Sequence, residues 1–551
     1  MMNHLRERGA YVCWLIRTLV GSGFLGSLRL DRYVRMGLAM RRHGGASPVS
    51  GIGLAAARDP HGRALLDDAG HLTWRELDDR CDALAAALAD LGGHRVTTVA
   101  IMCRNHRGII ESLAATSRLG LDSVLLNTGF AAPQLADVLI REHVDLVIAD
   151  DEFDGLIAHA LGRNPQLRHV RAWVEGTATG DTVDGLIEAN LGRRAPVPER
   201  AGRIVLLTSG TTGTPKGARR GGSTDIGSLA AMLDRIPWRA GETTVIAAPI
   251  FHAWGFGQVA ISATMTCTMV MRRRFDPVAT LELVREHGAG GLAVVPVMLE
   301  RIMDLPDDVL DAHQMPSLRF VTASGSRMRT DALLGFMDRF GDVVYNSYNA
   351  TEAGLISTAT PADLRLAPDT AGRPLTGTSV RLLDDADREV PTGEVGRIVV
   401  ASNSGFDGYT SSDTKAFADG HMVSGDVGRV DERGLLFVVG RDDEMIVSGG
   451  ENVYPLEVEQ VIGAHPAVRE VAVIGVDDPK FGQRLAAYVV RAPQTIVGAE
   501  ALRDHVREQL AGFKVPRDVH FIDELPRNAT GKVLKRQLVE SGEPTPDRKV
   551  G

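Results

Sequence analysis

The stretch Thr208-Ser209-Gly210-Thr211-Thr212-Gly213-Thr214-Pro215-Lys216-Gly217 sets four threonines, three glycines, a serine and a lysine within ten residues. It follows the apolar run Ile204 to Leu207, so a strand is expected to lead into it. A backbone that bends easily, with hydroxyls, amides and one cation, suits an oxyanion, and phosphate is the natural guest. The P-loop of nucleotide triphosphatases is the rival reading. It needs a Gly-Lys pair followed by Ser or Thr, whereas here Pro215 precedes Lys216 and Gly217 follows it. A flexible Thr/Gly surface loop is the plain alternative, weakened by the Pro-Lys-Gly that closes the stretch.

Further stretches carry groups of related chemistry. Pro249-Ile250-Phe251-His252-Ala253-Trp254-Gly255 places an imidazole among aromatics at a strand's end, where a lone histidine is more often structural. Ala323-Ser324-Gly325-Ser326 is weak alone. Tyr345-Asn346-Ser347-Tyr348-Asn349-Ala350-Thr351-Glu352 joins an aromatic face to a hydroxyl and a carboxylate. In Ser424-Gly425-Asp426, ordinarily a simple turn, the two carboxylate oxygens suit a vicinal diol. Gly440-Arg441-Asp442-Asp443-Glu444 and Ser448-Gly449-Gly450-Glu451-Asn452 follow. Lys532 closes Leu525-Pro526-Arg527-Asn528-Ala529-Thr530-Gly531, after Gly512-Phe513-Lys514-Val515-Pro516-Arg517.

In this order, and reaching from 208 to 532, these motifs resemble those of the adenylate-forming superfamily, in particular its fatty-acyl-CoA synthetases. The resemblance implies ATP and Mg²⁺ as cofactors and coenzyme A as co-substrate. It implies a phosphate loop of Thr208, Ser209, Gly210, Thr211, Thr212, Gly213 and Lys216. Ser324 and Gly325 flank adenine, and Tyr348 stacks on it beside Asn349. Thr351 touches the phosphates or the acyl carbonyl, and Glu352 holds Mg²⁺ with Thr211. Asp426 takes the ribose hydroxyls and Arg441 ribose or phosphate. Asp443 is the hinge, Ser448, Gly449 and Gly450 line the thiol's route, and Lys532 is the catalytic lysine. His252 borders the acyl pocket. Family members that activate amino acids tend to carry an aspartate near that position, to avoid burying an ammonium alone, so histidine points to an uncharged acyl tail. Asn349 stands where the family has glycine, which puts the local turn in question, although asparagine tolerates unusual backbone angles.

The implied activity is an ATP-dependent fatty acid-CoA ligase that forms an acyl-adenylate, releases pyrophosphate and passes the acyl group to coenzyme A. The alternatives are a fatty-acyl-AMP ligase that loads a carrier protein, and a non-catalytic nucleotide- or lipid-binding protein on the same scaffold. No carrier-like segment follows Lys532, which favours a free thiol, and Lys532, Glu352, Asp426 and Arg441 together argue against decay.

The elements that must position these groups alternate. Strands over Thr97 to Cys103, Asp122 to Leu126 and Val144 to Ala149 are separated by helices over Arg107 to Leu119 and Ala131 to Glu142. A helix from Leu72 to Leu91 has Thr73 as its N-cap. Strands over Thr243 to Ala248, Gly291 to Val295 and Leu318 to Ala323 repeat the alternation, giving two parallel αβ layers. Arg104, Asn105 and His106 sit at a strand's carboxyl end and read as an ordinary loop. Shorter strands from about Gly377 suggest a small β-barrel, and a further αβ unit follows Arg441. The expected fold is α/β: a large N-terminal domain over 51–440, a hinge at 441–445 and a small mobile α+β C-terminal domain over 446–551.

With 551 residues, two or more domains are expected. The net charge of -9 argues against a nucleic-acid partner. Cys13, Cys81, Cys103 and Cys267 lack any metal or disulfide spacing and suit the cytoplasm. The extension over 1–50 holds a broken apolar stretch from Tyr11 to Leu30 among arginines. It is too interrupted to span a bilayer. An amphipathic helix on a membrane surface and a helix packed on the main domain both remain open, as does a homodimer.

Overall fold

The computed structural model describes residues 2–26, 30–42, 47, 49–92, 96–177, 179–200, 202–208, 216–220, 226–402, 406–410, 415–448, 451–478, 482–528 and 531–540. The chain divides into two compact units. One comprises Met1–Ser379 with Val400–Ala416, the other Val380–Val399 with Phe417–Gly551.

The first unit opens with helices α1 (Met2–Gly21), α2 (Leu30–Arg42) and α3 (Gly51–Arg58). Strands β1 (Arg63–Asp67) and β2 (Gly70–Thr73) lead into α4 (Trp74–Gly92). The expected cap is present there. The Glu76 N–H donates to Thr73 Oγ1 at 3.2 Å, and the Thr73 N–H donates back to Glu76 Oε2 at 2.7 Å. The αβ alternation follows as β3 (Thr98–Met102), α5 (Arg107–Arg118), β4 (Asp122–Leu125), β5 (Leu146–Ala149), β6 (Arg168–Arg171), β7 (Ile204–Thr208) and β8 (Lys216–Arg220). Next come β9 (Thr243–Ile246), β10 (Thr268–Val270), β11 (Gly291–Val294), β12 (Phe320–Ser324), β13 (Val344–Ala350), β14 (Gly354–Ala359) and β15 (Arg373–Pro374).

These strands make two sheets. One is seven-stranded, in the order β18-β8-β7-β4-β3-β5-β6 with β18 at Phe406–Tyr409, and the other nine-stranded, in the order β15-β14-β13-β12-β11-β9-β10-β1-β2. Their central pairings are parallel. β3 shows why both faces must be covered. Val99 and Ile101 enter a core shared with Ile246, Phe251 and Met269 of the other sheet, whereas Ala100 and Met102 pack with Leu135 and Val138. A strand buried on both sides reads as a continuous apolar run, as this one does.

The second unit contains β16 (Ser379–Leu383) except Ser379, β17 (Gly396–Ala401) except Val400 and Ala401, β19 (Phe417–Ala418), β20 (His421–Val430) and β21 (Leu436–Arg441), which make a five-stranded sheet. A second sheet holds β22 (Ile446–Ser448), β23 (Glu451–Val453), β24 (Val468–Asp478), β25 (Gly482–Arg491) and β26 (Asp518–Phe521). One face, with Val473, Leu485 and Val489, packs on Val458, Ile462, Leu502 and Val506 of two helices. The other, with Ile474 and Tyr488, packs on Leu525 and Leu538, which flank Lys532 in sequence. The expected boundaries at 440 and 446 fall inside this unit.

Candidate functional site

The expected site residues fall into two groups, one in each unit. In the first unit, β7 and β8 pair antiparallel with Thr208 opposite Lys216, so the glycine- and threonine-rich stretch closes a hairpin. A P-loop leads from a strand into a helix, and the strand at Lys216 removes that reading. Ser209, Gly210, Thr211, Thr212 and Gly213 lie outside the described residues, and of Thr208 and Lys216 only the backbone is described.

The carboxyl edge of the nine-stranded sheet gathers most of the rest, where open α/β sheets place their ligands. β12 ends at Ser324, whose hydroxyl donates to the Ser347 carbonyl at 2.6 Å, and Gly325 follows with φ 111°. Ser324 is paired in register with Ser347, immediately before Tyr348. Tyr348 and Asn349 lie on β13 at a bulge. Asn349 is not among the residues of positive φ, so the glycine found in the resembling family is not required by this backbone. Between β13 and β14 a three-residue tip, Thr351-Glu352-Ala353, precedes Gly354 with φ 72°, the left-handed residue such hairpins need.

Glu352 is largely buried. Its Oε1 accepts from the Tyr409 hydroxyl and lies 3.8 Å from Lys415 Nζ, while Oε2 has no partner among the described residues. Ser402 pins the tip by donating to the Ala353 carbonyl at 2.7 Å. One anchored and one available carboxylate oxygen, next to a threonine, form a donor set that fits a hard cation such as Mg²⁺. Tyr409 and Lys415 escaped the reading of the sequence, since they lie 57 and 63 positions from Glu352.

His252 is the N-cap residue of the helix Ala253–Thr264, after β9, although its side chain makes no cap bond. Trp254, Phe256 and Met265 are buried in three separate core clusters. The loop before His252 is held by Asn105. Its amide donates to the carbonyls of Ile246, Ala247 and Ala248 at 3.3, 3.3 and 2.9 Å, and its Oδ1 accepts from the Ile250 N–H at 2.9 Å. Asn105 therefore does more than an ordinary loop residue. Beside it, His106 is structural: Nδ1 accepts from the Gly108 N–H, which leaves the proton on Nε2 to reach Asp150 at 2.7 Å. Cys103 joins these two in a buried cluster, but both ring nitrogens of His106 are already engaged, which leaves the imidazole no lone pair for a metal ion.

In the second unit, β20 and β21 place Asp426 opposite Arg441. The guanidinium spans two carboxylates. Nε and Nη2 reach Asp443 at 3.0 and 3.4 Å, and Nη1 reaches Asp426 at 3.3 Å. Burial pulls the Arg441 pKa down, but the hydrogen bond to Asp443 and the charge of Asp426 outweigh it and hold the guanidinium above its ordinary value. Gly425, with φ 87°, gives the space in which Arg441 lies, since a Cβ there would meet its Nη2 at 3.3 Å. Ser424 accepts from the Asp426 N–H at 3.0 Å and donates to the Ile398 carbonyl at 2.8 Å. Ser448 ends β22, while Gly449 and Gly450 lie outside the described residues.

Lys532 stands on a tight turn. Asn528 closes it by accepting the Lys532 N–H on Oδ1 at 2.9 Å, Gly531 takes φ 81°, and Arg527 donates to the Gly531 carbonyl at 2.6 Å. The Lys532 side chain is exposed, and its ammonium has no partner among the described residues. Just beyond it, Lys535 pairs with Glu444 at 3.1 Å and Glu459 at 3.0 Å.

The chain is similar to known proteins. The profile of the AMP-binding enzyme family matches residues 54–410, and that of the AMP-binding enzyme C-terminal domain matches residues 457–532. Feruloyl-CoA synthase of Amycolatopsis sp is 32% identical over 506 residues, covering 91% of this chain and 99% of that protein. The fatty acid–acyl-carrier-protein ligase ScoC of Streptomyces coeruleorubidus is 30% identical, covering 88% and 94%. The o-succinylbenzoate CoA synthetase of Bacillus subtilis, solved in complex with its acyl-adenylate intermediate, superposes with a TM-score of 0.75 at 27% identity, covering 89% of this chain and 97% of that one.

Proposed function

The chain belongs to the AMP-binding enzyme family, and we propose that the acid it activates is uncharged and apolar, a fatty acid first among such acids. It is an adenylate-forming ligase that joins an acid to a thiol with ATP, Mg²⁺ and coenzyme A. One observation carries the substrate reading. From 243 to 275, the segment around His252, there is no Asp or Glu, so nothing there would neutralise a cationic substrate tail such as an ammonium.

A carboxylate is a poor acylating agent because oxide would have to leave. Its attack on the α-phosphate of ATP, with loss of pyrophosphate, replaces that leaving group with AMP. Lys532 and the threonine- and glycine-rich stretch that connects β7 to β8 stabilise the charge that gathers on the phosphate oxygens. Glu352, with the oxygen that Tyr409 leaves open, would hold the Mg²⁺, and the charge of that ion would offset the rest. Tyr348 and the Ser324-Gly325 backbone flank adenine, and Asp426 accepts from the ribose hydroxyls. The thiol must then reach the carbonyl that Lys532 covered, so the lobe carrying Lys532 turns about Asp443 and the stretch at Ser448 lines the thiol's approach.

Pyrophosphate exchange with a panel of fatty acids beside ferulate and other aryl acids tests the substrate. Exchange highest with fatty acids supports the reading, and exchange with aryl acids alone overturns it. An aromatic acid is the second reading, favoured by the likeness to feruloyl-CoA synthase over nearly the full length. The likeness to ScoC keeps a carrier-protein acceptor in view, and thioester formation with coenzyme A against a holo-carrier protein separates the two.

A further inference from the structure

The chain begins with a feature that the ligase reaction does not use. α1 turns one side inward, where Trp14, Leu15 and Leu19 pack with Leu229 and Leu233 of the helix Ile226–Arg235. Its other side leaves Val12, Ile16 and Val20 exposed at 48%, 51% and 54%, spaced by four residues as on one helical face. α2 repeats this with Val34 and Leu38, exposed at 62% and 64%. Such stripes on a folded surface normally meet a partner. No helix among the described residues is long and apolar enough to cross a membrane.

Charge identifies the partner. Residues 1–42 hold eight arginines against Glu7 and Asp31, in a chain whose net charge is -9. Arg17, Arg35 and Arg41 are exposed beside the stripes. The arm is also fastened to its unit, because Arg58 at the end of α3 donates to the carbonyls of Gly23 and Phe24. Where it meets the body, a cavity of about 320 Å³ is lined by Arg32, Met36, Arg58, Asp59 and Thr266. The Arg32 guanidinium has no partner among the described residues, and the buried Thr266 hydroxyl has none either. Two guanidinium groups, Arg32 and Arg58, outnumber the single Asp59 carboxylate at this cavity, and with the Thr266 hydroxyl they suit an oxyanion.

We propose that α1 and α2 form the surface by which this protein rests on an anionic phospholipid bilayer, with Arg32 receiving a headgroup phosphate. The exposed stripes enter the headgroup boundary while the arginines meet the lipid charge. A second copy of this chain would set the exposed Arg17, Arg35 and Arg41 against their own counterparts, and charge disfavours that pairing.

Flotation of the full-length protein with vesicles tests this. Phosphatidylcholine vesicles containing phosphatidylglycerol should carry the protein upward, pure phosphatidylcholine should not, and raised salt should release it. Ile16→Glu with Leu38→Glu should lower the bound fraction about tenfold or more. Arg32→Gln should lower it about fivefold, as should either exposed change, Arg17→Gln or Arg41→Gln. Circular dichroism melting establishes that each variant is folded, and the two exposed arginine changes provide the test if the apolar ones do not fold. Equal binding to neutral and anionic vesicles, absence of binding, or a wild-type dimer that Ile16→Glu splits while vesicle binding is nil would overturn the proposal.

Discussion

Glu352 keeps one oxygen against the Tyr409 hydroxyl and leaves the other open, so the two halves of one carboxylate have different duties. Tyr409→Phe removes the anchor and leaves the ring. A hydrogen bond to a charged group is worth about 1.5–3 kcal/mol, so pyrophosphate exchange should fall roughly tenfold to hundredfold, with part of the loss recovered at higher Mg²⁺. An unchanged Mg²⁺ dependence would speak against Glu352 as the metal ligand. Lys532 is a different case, since its backbone is tightly fastened and its ammonium projects. Lys532→Ala should cut adenylate formation about 10²–10³-fold, while thiolysis of preformed acyl-adenylate survives; equal losses in both assays would sink the assignment. Lys532 was readable because its neighbours form a contiguous motif. The anchor at Tyr409 was not, because a contact across 57 positions leaves no local pattern.

Elements rather than single groups decide where His252 stands. Asn105, at the end of one sheet, ties down the strand end of the other through bonds that span more than 140 positions. Asn105→Ala leaves three carbonyls and an N–H to find other partners, at a cost of about 1–3 kcal/mol. The expected result is a lower melting temperature and a raised KM for the acid with KM for ATP unchanged; an equal rise in both would show general damage. The helix beginning at Ala253 makes a sharper demand. A Cβ on Gly255 would lie 2.1 Å from the Pro249 carbonyl oxygen, whereas one on Gly257 meets nothing within 4 Å. Gly255→Ala should therefore cost about 1–3 kcal/mol, and Gly257→Ala should be neutral or stabilising by up to about 1 kcal/mol, as paired thermal melts will measure. The sequence announced these helices and strands by their periods and by caps such as Thr73 with Glu76. It did not announce the tie between sheets, because asparagine in a loop has the same appearance whether it bonds water or a distant backbone.

At the scale of the molecule, the order of motifs from 208 to 532 carried the family and the cofactors, while the identity of the acid stayed beyond reach. Trp254 and Phe256, close to His252 in sequence, are buried, and apolar character alone does not distinguish a pocket lining from a core filling. The proposed turning of the Lys532 lobe is tested at its pivot. Asp443→Pro fixes φ near −65° and withdraws the carboxylate that Arg441 grips, so one half-reaction should persist nearly intact while the other collapses. Paired measurement of pyrophosphate release and thioester formation reads this out, and equal impairment of both would refute it.

The grip of Lys535 on Glu444 and Glu459 bears on how sharp that pivot is. Upstream, Arg441 rivets position 443 to the strand bearing Asp426; downstream, Lys535 bolts position 444 to the helix behind the lysine turn. Among the described residues the linkage between 443 and 444 lies between the two fastenings, so the proposed swing would be that of a door on a single pin and not of a flexing strap. On that proposal such a joint would deliver the lysine to the same spot on every cycle, and loosening either fastening would blur its aim without touching a reacting atom.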